Sequence, residues 1–530
     1  MLMKRKTTCF AGLLLSLIFL FCCGFVKADS GYLKSATYYS DDWVCNFWNS
    51  ESDNMEAELA QIRADGFNSI ILVLPWREFQ PGDGSYNSYA FEKLDKVMNA
   101  AAAQGLSVSL RVGYTWDYAE GTAASTRVDR LPFDEQTRND WFAYLKKVYT
   151  AASAHENFAG GFMTWEDFWT FMSSGSTKYG NNAEGYRYAK VSGYTDFALK
   201  NYSIEELQTL YHDDNLSKGN IYFPNRASQA RKVVYQWYDS FLMQLLSESQ
   251  KYFPNLSYEA RLDYDRVNNM NGGSEMVTHE STYGAANASY TSAMYSIPMG
   301  QDTEGQKIDA GTALNSMRSI LANMQQTAGK KIYVEQLLFT DNTLGYEKNA
   351  QLAESEKPVF LRSAADILRT YTNGYGIWTY RDYGNNKLFN AQFALGKNGW
   401  KFEGKADVKK IDGTNAAVLT QGDAISQGCA DSAGTQNGST TTVKVTLGGQ
   451  GKVKVTLDGT SRVFNVKEKH SESFTVSGNP SSIRFESISG RVTVDNVYVY
   501  NFVTEGKLYH EDGSADSCIA ALRELNAKLG

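Results

Sequence analysis

From about Gly31 to Tyr383, short apolar, β-branched runs alternate with longer stretches whose apolar residues recur at helical spacing. A strand buried on both faces reads as a continuous apolar run, whereas a covering helix needs only one apolar stripe, so this alternation calls for a parallel sheet wrapped by helices. Eight strands can be placed: Lys34 to Tyr39, Ser69 to Leu74, Ser107 to Val112, Gly161 to Thr164, Leu256 to Leu262, a sixth around Glu275 to His279, Lys331 to Val334, and Gly376 to Thr379. Between them, helices are expected over Met55 to Asp65 with Gly66 as its stop, over 90–104, Asp140 to Ala154, Ala227 to Lys251 and Lys357 to Thr372. No G-x-G-x-x-G follows the first strand, so the expectation is a closed (β/α)8 barrel of the α/β class and not an open doubly wound sheet.

Beyond Tyr383 the pattern changes to short Val/Thr-rich strands with Gly, Asn and Asp turns, at Thr441 to Leu447, Lys452 to Leu457, Val463 to Val466 and Val492 to Tyr500. These predict a β-sandwich. The eighth strand runs on into Leu388-Phe389-Asn390 with no helical pattern, and the amphipathic segment Asp516 to Leu529 can supply the missing eighth helix. The expected organisation is therefore a leader at 1–28, a barrel over 29–387, a sandwich over 388–505 inserted before the last barrel helix, and that helix within 506–530. The other arrangement is a tail helix packed on the sandwich.

A length of 530 residues accommodates a barrel and a second domain, and 42% hydrophobic with 21% charged residues is ordinary for a globular chain. The formal charge of -7 argues against a phosphate-tracking surface, and so against nucleic acid as the partner. Aromatic residues reach 13%, which suits sugar recognition because a flat ring covers the apolar face of a pyranose. Lys4-Arg5-Lys6, the apolar run Phe10 to Val26 and the Val26-Lys27-Ala28 site read as an export signal, with an uncleaved anchor as the alternative. Either places the rest of the chain outside the cytoplasm. Three of the six cysteines lie in this leader; Cys45, Cys429 and Cys518 cannot all pair, and no C-x-x-C spacing supports a metal or thiol centre.

Two glutamates each follow a short apolar run: Glu166 in Gly161-Phe162-Met163-Thr164-Trp165-Glu166-Asp167, and Glu335 in Lys331-Ile332-Tyr333-Val334-Glu335. Cleavage of a glycosidic bond with retention requires two carboxyl groups about 5 Å apart, one protonated and one ionised, and in a barrel they come from the carboxyl ends of strands. The chain thereby resembles the clan A retaining glycoside hydrolases over about 31–383. The resemblance implies Glu166 as acid/base after strand four and Glu335 as nucleophile after strand seven. Trp378 in Gly376-Ile377-Trp378-Thr379-Tyr380 matches the clan's strand-eight Trp, and Trp76-Arg77-Glu78-Phe79-Gln80-Pro81 resembles its loop after strand two. Trp165 stands where most of the clan has Asn, which puts recognition at the sugar's carbon two in question. Asp167 is the acid if the strand end is displaced by one residue.

Arg77 and Arg111, after strands two and three, are candidates to donate to the nucleophile or the sugar, with structural ion pairing as the other reading. Further candidates to line the site are Trp76, Tyr114 and Trp116, Arg261 and Asp263, His279 with Tyr283, and the Phe168-Trp169 pair; packing is the ordinary alternative for each. The implied activity needs no metal or organic cofactor, and the expected partner is a poly- or oligosaccharide. A non-catalytic glycan-binding protein on the same barrel is the competing class. A Schiff-base lyase is disfavoured because no Lys ends a convincing inner strand. Gly399-Trp400-Lys401-Phe402-Glu403-Gly404 weakly resembles the opening of carbohydrate-binding modules, with structural support as the favoured role of the sandwich.

Overall fold

The computed structural model describes the chain from residue 31, apart from 52–53, 83, 115–126, 128–129, 165–179, 226, 261–264, 269–272, 285–287, 298–305, 340–349, 430–439 and 504–507. Eight parallel strands close into a barrel: β1 Leu33–Thr37, β2 Ser69–Pro75, β3 Ser107–Tyr114, β4 Phe158–Met163, β5 Ser257–Ala260, β6 Thr291–Ser296, β7 Ile332–Leu338 and β8 Thr372–Ile377. β2, Ser-Ile-Ile-Leu-Val-Leu-Pro, is buried at every position, the signature of a strand covered on both sides. Helices α1 Met55–Ala64, α2 Ser88–Ala103, α3 Glu135–Ala152, α4 Arg231–Ser249, α5 Ala310–Ala328 and α6 Lys357–Tyr371 surround the barrel. In α1 the buried residues are Met55, Leu59 and Ile62, spaced to form one stripe, and Gly66 at φ 88° follows the helix end.

The sixth strand corrects the sequence reading. Ser274–Val277 pairs antiparallel with Asp265–Asn268 as a hairpin, and the barrel strand is Thr291–Ser296. The Thr-Ser-Ala-Met-Tyr-Ser strand opens on two polar residues and holds only the short apolar stretch Ala293-Met294-Tyr295, so it offers little of an apolar run to read.

After β8 the chain enters a nine-stranded antiparallel sheet with its own apolar core. Two long strands organise it, β9 Thr440–Leu457 and β10 Ser482–Val503. The turn expected between Leu447 and Lys452 is instead a bend within β9, which stays paired to β10 through Gly448, Gly449, Gln450 and Gly451. Glycine is needed there: Gly449 has φ 87°, and a Cβ on it would lie 2.4 Å from the Arg491 carbonyl oxygen. Trp400 is a core residue of this sheet, its ring tilted against Phe393 at 5.1 Å between centroids and its indole N–H donated to the Asn390 carbonyl.

The chain then returns to the barrel as α7 Ile519–Leu529, which packs beside α6. Asn526 accepts from the Tyr375 hydroxyl and donates to the Asp65 carbonyl, while Lys34 Nζ donates to the carbonyls of Asn526 and Gly530. These bonds tie α7 to β1, β8 and the end of α1. Among the described residues no helix is long and apolar enough to cross a membrane. Cys45 and Cys518 are buried and Cys429 is half-buried.

Candidate active site at the carboxyl end of the barrel

Alternation along the strands divides residues between the helix-facing shell and the barrel interior. Ile332 and Val334 of β7 belong to the shell core, whereas Tyr333 packs in the interior with Ile71 of β2 and Phe162 of β4. Glu335, two residues after Tyr333, follows it inward and is only 1% exposed. Burial raises the Tyr333 phenol well above its ordinary range, opposed by a bond to Ser35 and reinforced by Tyr290 and the Glu335 carboxylate.

At Glu335 the ladder is interrupted. Toward β6, Val334 pairs with Ala293 and Gln336 with Met294, so Glu335 is the extra residue. Toward β8, Val334 pairs with Tyr375 and Leu337 with Ile377, so Glu335 and Gln336 together face Gly376. This is a β-bulge, a device that re-aims a side chain without ending the strand. It also resets the alternation, because Leu337 returns to the shell core where an uninterrupted strand would turn it inward. Gly376 permits the bulge: a Cβ there would lie 2.7 Å from the Glu335 carbonyl oxygen and 2.6 Å from Ile71 Cδ1. β7 thus continues to Leu338, beyond the end expected from sequence.

On the other side of the interior, Arg111 of β3 and Glu259 of β5 form an ion pair at 2.9 Å, with side chains 1% and 0% exposed. Thr164, just beyond β4, closes a triangle with them. Arg111 Nη2 donates to Thr164 Oγ1 at 3.0 Å, and the Thr164 hydroxyl donates to Glu259 Oε2 at 2.9 Å. The Arg111 guanidinium also lies 6.0 Å from the Trp378 ring centroid. Trp378 follows β8 and is half-buried, with Tyr39 and the edge-on Trp43 each 6.0 Å away between ring centroids. Trp43 stacks in turn on Tyr383 at 5.1 Å. An aromatic wall therefore stands over the carboxyl ends of β1 and β8.

The other sequence candidates take different places. Trp76 is fully buried, donates its indole N–H to Gln80 Oε1 at 2.7 Å, and packs against Trp141 and Tyr144. Arg77 bonds the neighbouring Glu78 at 2.7 Å and stacks over the Phe389 ring at 4.3 Å, at the junction with the sheet domain. Burial raises the Glu78 carboxyl, with Arg77 opposing. His279 lies after the hairpin and not on a barrel strand; its Nδ1 is 2.6 Å from Asp239 of α4, and its ring stacks on Tyr235. Tyr283 is buried, and its carbonyl accepts from Thr291. Tyr114 ends β3. Glu166, Asp167, Trp116, Phe168, Trp169, Arg261 and Asp263 lie outside the described residues.

Sequence reasoning missed Glu259, Thr164, Tyr39 and Trp43. For Glu259 the available signal was its inward parity between Tyr258 and Ala260, both of which join the shell core. Among the described residues no group of three His, Cys, Asp or Glu is placed to hold a metal.

Fold and site together define a (β/α)8 barrel with buried carboxylates on its inner face and an appended antiparallel sheet. No protein-family model and no curated protein matches the chain. Among solved structures it is similar to GH5_18 from Streptomyces cattleya in complex with GlcNAc, at 12% identity over 67% of this chain and 72% of that one, with a TM-score of 0.41. It is also similar to the exo-beta-1,4-mannosidase Op5Man5 from Opitutaceae bacterium strain TAV5, at 14% identity over 67% and 55% with a TM-score of 0.39. A third is the beta-galactosidase from the psychrophilic Marinomonas ef1, at 10% identity over 66% and 54% with a TM-score of 0.43.

Proposed function

We propose that this protein is an exported retaining glycoside hydrolase acting on a poly- or oligosaccharide, with Glu335 as nucleophile and Glu166 as acid/base. The observation that carries the reading is the placement of Glu335, buried on the inner face of β7 at the carboxyl end of the barrel, where barrel active sites lie, with a bulge in the strand at that residue. Taking a carboxylate out of water costs several kcal/mol, and Glu335 is held almost fully buried beside Tyr333 at the carboxyl end of the barrel. Trp378, with Tyr39 and Trp43 behind it, offers the flat apolar surface that a pyranose requires.

In this reading a Glu335 oxygen attacks the anomeric carbon as the glycosidic bond breaks, and the departing oxygen takes its proton from Glu166. The resulting Glu166 carboxylate then removes a proton from water, whose oxygen attacks the anomeric carbon and expels Glu335. Glu166 ends protonated and Glu335 ionised, ready for the next cycle. The Lys4–Ala28 leader supports export of the chain.

The test is a panel of glycans and aryl glycosides assayed with wild type, Glu335→Gln and Glu166→Ala. Glu335→Gln is expected to abolish turnover on any substrate the wild type cleaves, and azide is expected to restore part of the Glu166→Ala rate on activated aryl glycosides. Wild-type rates in both variants would overturn the assignment.

A further inference from the structure

Tyr39, Trp43, Trp378 and Tyr383 meet over the carboxyl ends of β1 and β8, and one ring of the four is open to a ligand. Trp378 is half-buried, whereas Tyr39, Trp43 and Tyr383 are 3%, 5% and 1% exposed, so the ring with a face to offer a sugar is Trp378. We infer that Trp43 is a positioning residue for sugar binding: it holds the Trp378 ring in the attitude that meets the sugar, and the sheet domain in turn holds Trp43.

A half-buried Trp ring with nothing packed behind it is free to turn about its side-chain torsions. Trp43 removes that freedom by standing at 89° to Trp378 with 6.0 Å between centroids, and Tyr39 adds a second contact at 6.0 Å and 52°. Trp43 is itself stacked on Tyr383, at 5.1 Å and 30°. Tyr383 opens the short strand Tyr383–Asn386, which pairs antiparallel with residues 500–503 of β10 and so joins the sheet domain. The backbone follows the same route. The Gly384 N–H donates to the Asp41 carbonyl at 2.7 Å, and the Trp43 N–H donates to the Gly384 carbonyl at 3.0 Å. Asn46 extends the seam, its side chain donating to the Asn386 carbonyl and accepting from the Asn386 N–H. The segment after β1 is therefore stitched to the sheet domain at Asp41, Trp43 and Asn46. Gly384 leaves no room for a side chain in this seam, because a Cβ there would lie 2.8 Å from Tyr500 Cδ2.

The inference rests on the glycosidase reading, and the two fail differently. A ring that stacks on the sugar equally in the ground and transition states contributes uniform binding, so misplacing it raises KM and spares kcat. On any glycoside the wild type cleaves, Trp43→Leu is expected to raise KM at least about fivefold with kcat within about twofold of wild type. Trp43→Phe, which keeps a ring between Tyr383 and Trp378, should hold KM within about twofold. Gly384→Ala, remote from the sugar, should raise KM about threefold by displacing Trp43. The deciding comparison is a double-mutant cycle: in a Trp378→Ala background Trp43→Leu should move KM no further, because Trp43 acts through Trp378. A wild-type KM in Trp43→Leu, a Trp43→Phe no better than Trp43→Leu, or an equal rise with and without the Trp378 ring would overturn the positioning role. A wild-type KM in Gly384→Ala beside a raised one in Trp43→Leu would overturn the part assigned to the sheet domain. If Trp43→Leu does not fold, Gly384→Ala in the same two backgrounds decides both. A wild type inactive on every glycoside, or insensitive to Glu335→Gln, would instead remove the glycosidase reading and this inference with it.

Discussion

The interior of the barrel and the core of the sheet domain are equally closed to water but are built from different residues. The central cluster of the sheet domain is apolar, with Val443, Val455, Ile483, Phe485 and Val494 among its fully buried members, and the domain's buried carboxylates Asp423 and Asp495 lie outside that cluster. The barrel interior at its carboxyl end holds Arg111, Glu259 and Glu335 at the same degree of burial, and its seventh strand carries a bulge. One region obeys the rule that burial favours apolar atoms; the other departs from it in residues contributed by three separate strands. The contrast separates a core built for stability from an interior that gives up stability to hold charged groups in place.

Substitutions in the two regions should therefore fail in opposite ways. The largest effect is expected from Glu335→Gln, which should lower turnover roughly a thousandfold or more, about 4 kcal/mol in activation free energy, while the melting temperature stays the same or rises. Kinetics and calorimetry on the same preparation check this. In the sheet core Phe485→Ala should do the reverse, costing about 3–5 kcal/mol in urea unfolding of that domain, with kcat/KM of the folded fraction close to wild type. Gly376→Ala sits between the two. Its methyl group meets the Glu335 carbonyl and Ile71, so turnover should fall about tenfold to a hundredfold, with a stability loss of about 1–3 kcal/mol. A fully active Gly376→Ala would show that the close approach of Gly376 to the bulge does not matter for the placement of Glu335.

A smaller effect concerns Asp495, mostly buried in the sheet domain, whose carboxyl is pushed up from 3.8 to about 6 by burial, with Glu51 adding to the rise and the Asn496 backbone N–H and Thr414 opposing it. A carboxyl raised in the folded state contributes stability that is complete below its unfolded value and is lost as pH rises through its folded value. Wild type should therefore lose about 1–2 kcal/mol relative to Asp495→Asn between about pH 4 and pH 6.5. Parallel stability curves for the two proteins over that range would contradict the shift.

How far the sequence carried depended on what each element is buried against. β2 was readable because helices and interior cover both its faces, leaving seven buried residues in a row. β6 was not, because Ser292 on its inner face breaks the apolar run, while the Met276-Val277 end of a hairpin imitated one. Glu335 was visible as a carboxylate after an apolar run, but its bulge was not, since a bulge is defined by register with β6 and β8 and not by β7 alone. Glu259 was signalled only by the parity of its two shell neighbours, Tyr258 and Ala260, a faint signal in a four-residue strand. The bend in β9 was taken for a turn because its glycines signal one locally; only pairing with β10 keeps the strand continuous. The aromatic cluster around Trp76 resembled a substrate loop, yet Trp141 and Tyr144 of α3, distant in the chain, enclose it.

The central claim is that Glu335 attacks the sugar. The most direct measurement is incubation with a panel of activated 2-deoxy-2-fluoro glycosides of gluco, manno and galacto configuration, followed by mass spectrometry of the intact chain and of its peptides. The account predicts one covalent glycosyl group, on the peptide spanning 332–338 and absent from Glu335→Gln. Rapid hydrolysis of substrate with inversion at the anomeric carbon, or a label carried by another carboxylate, would contradict it.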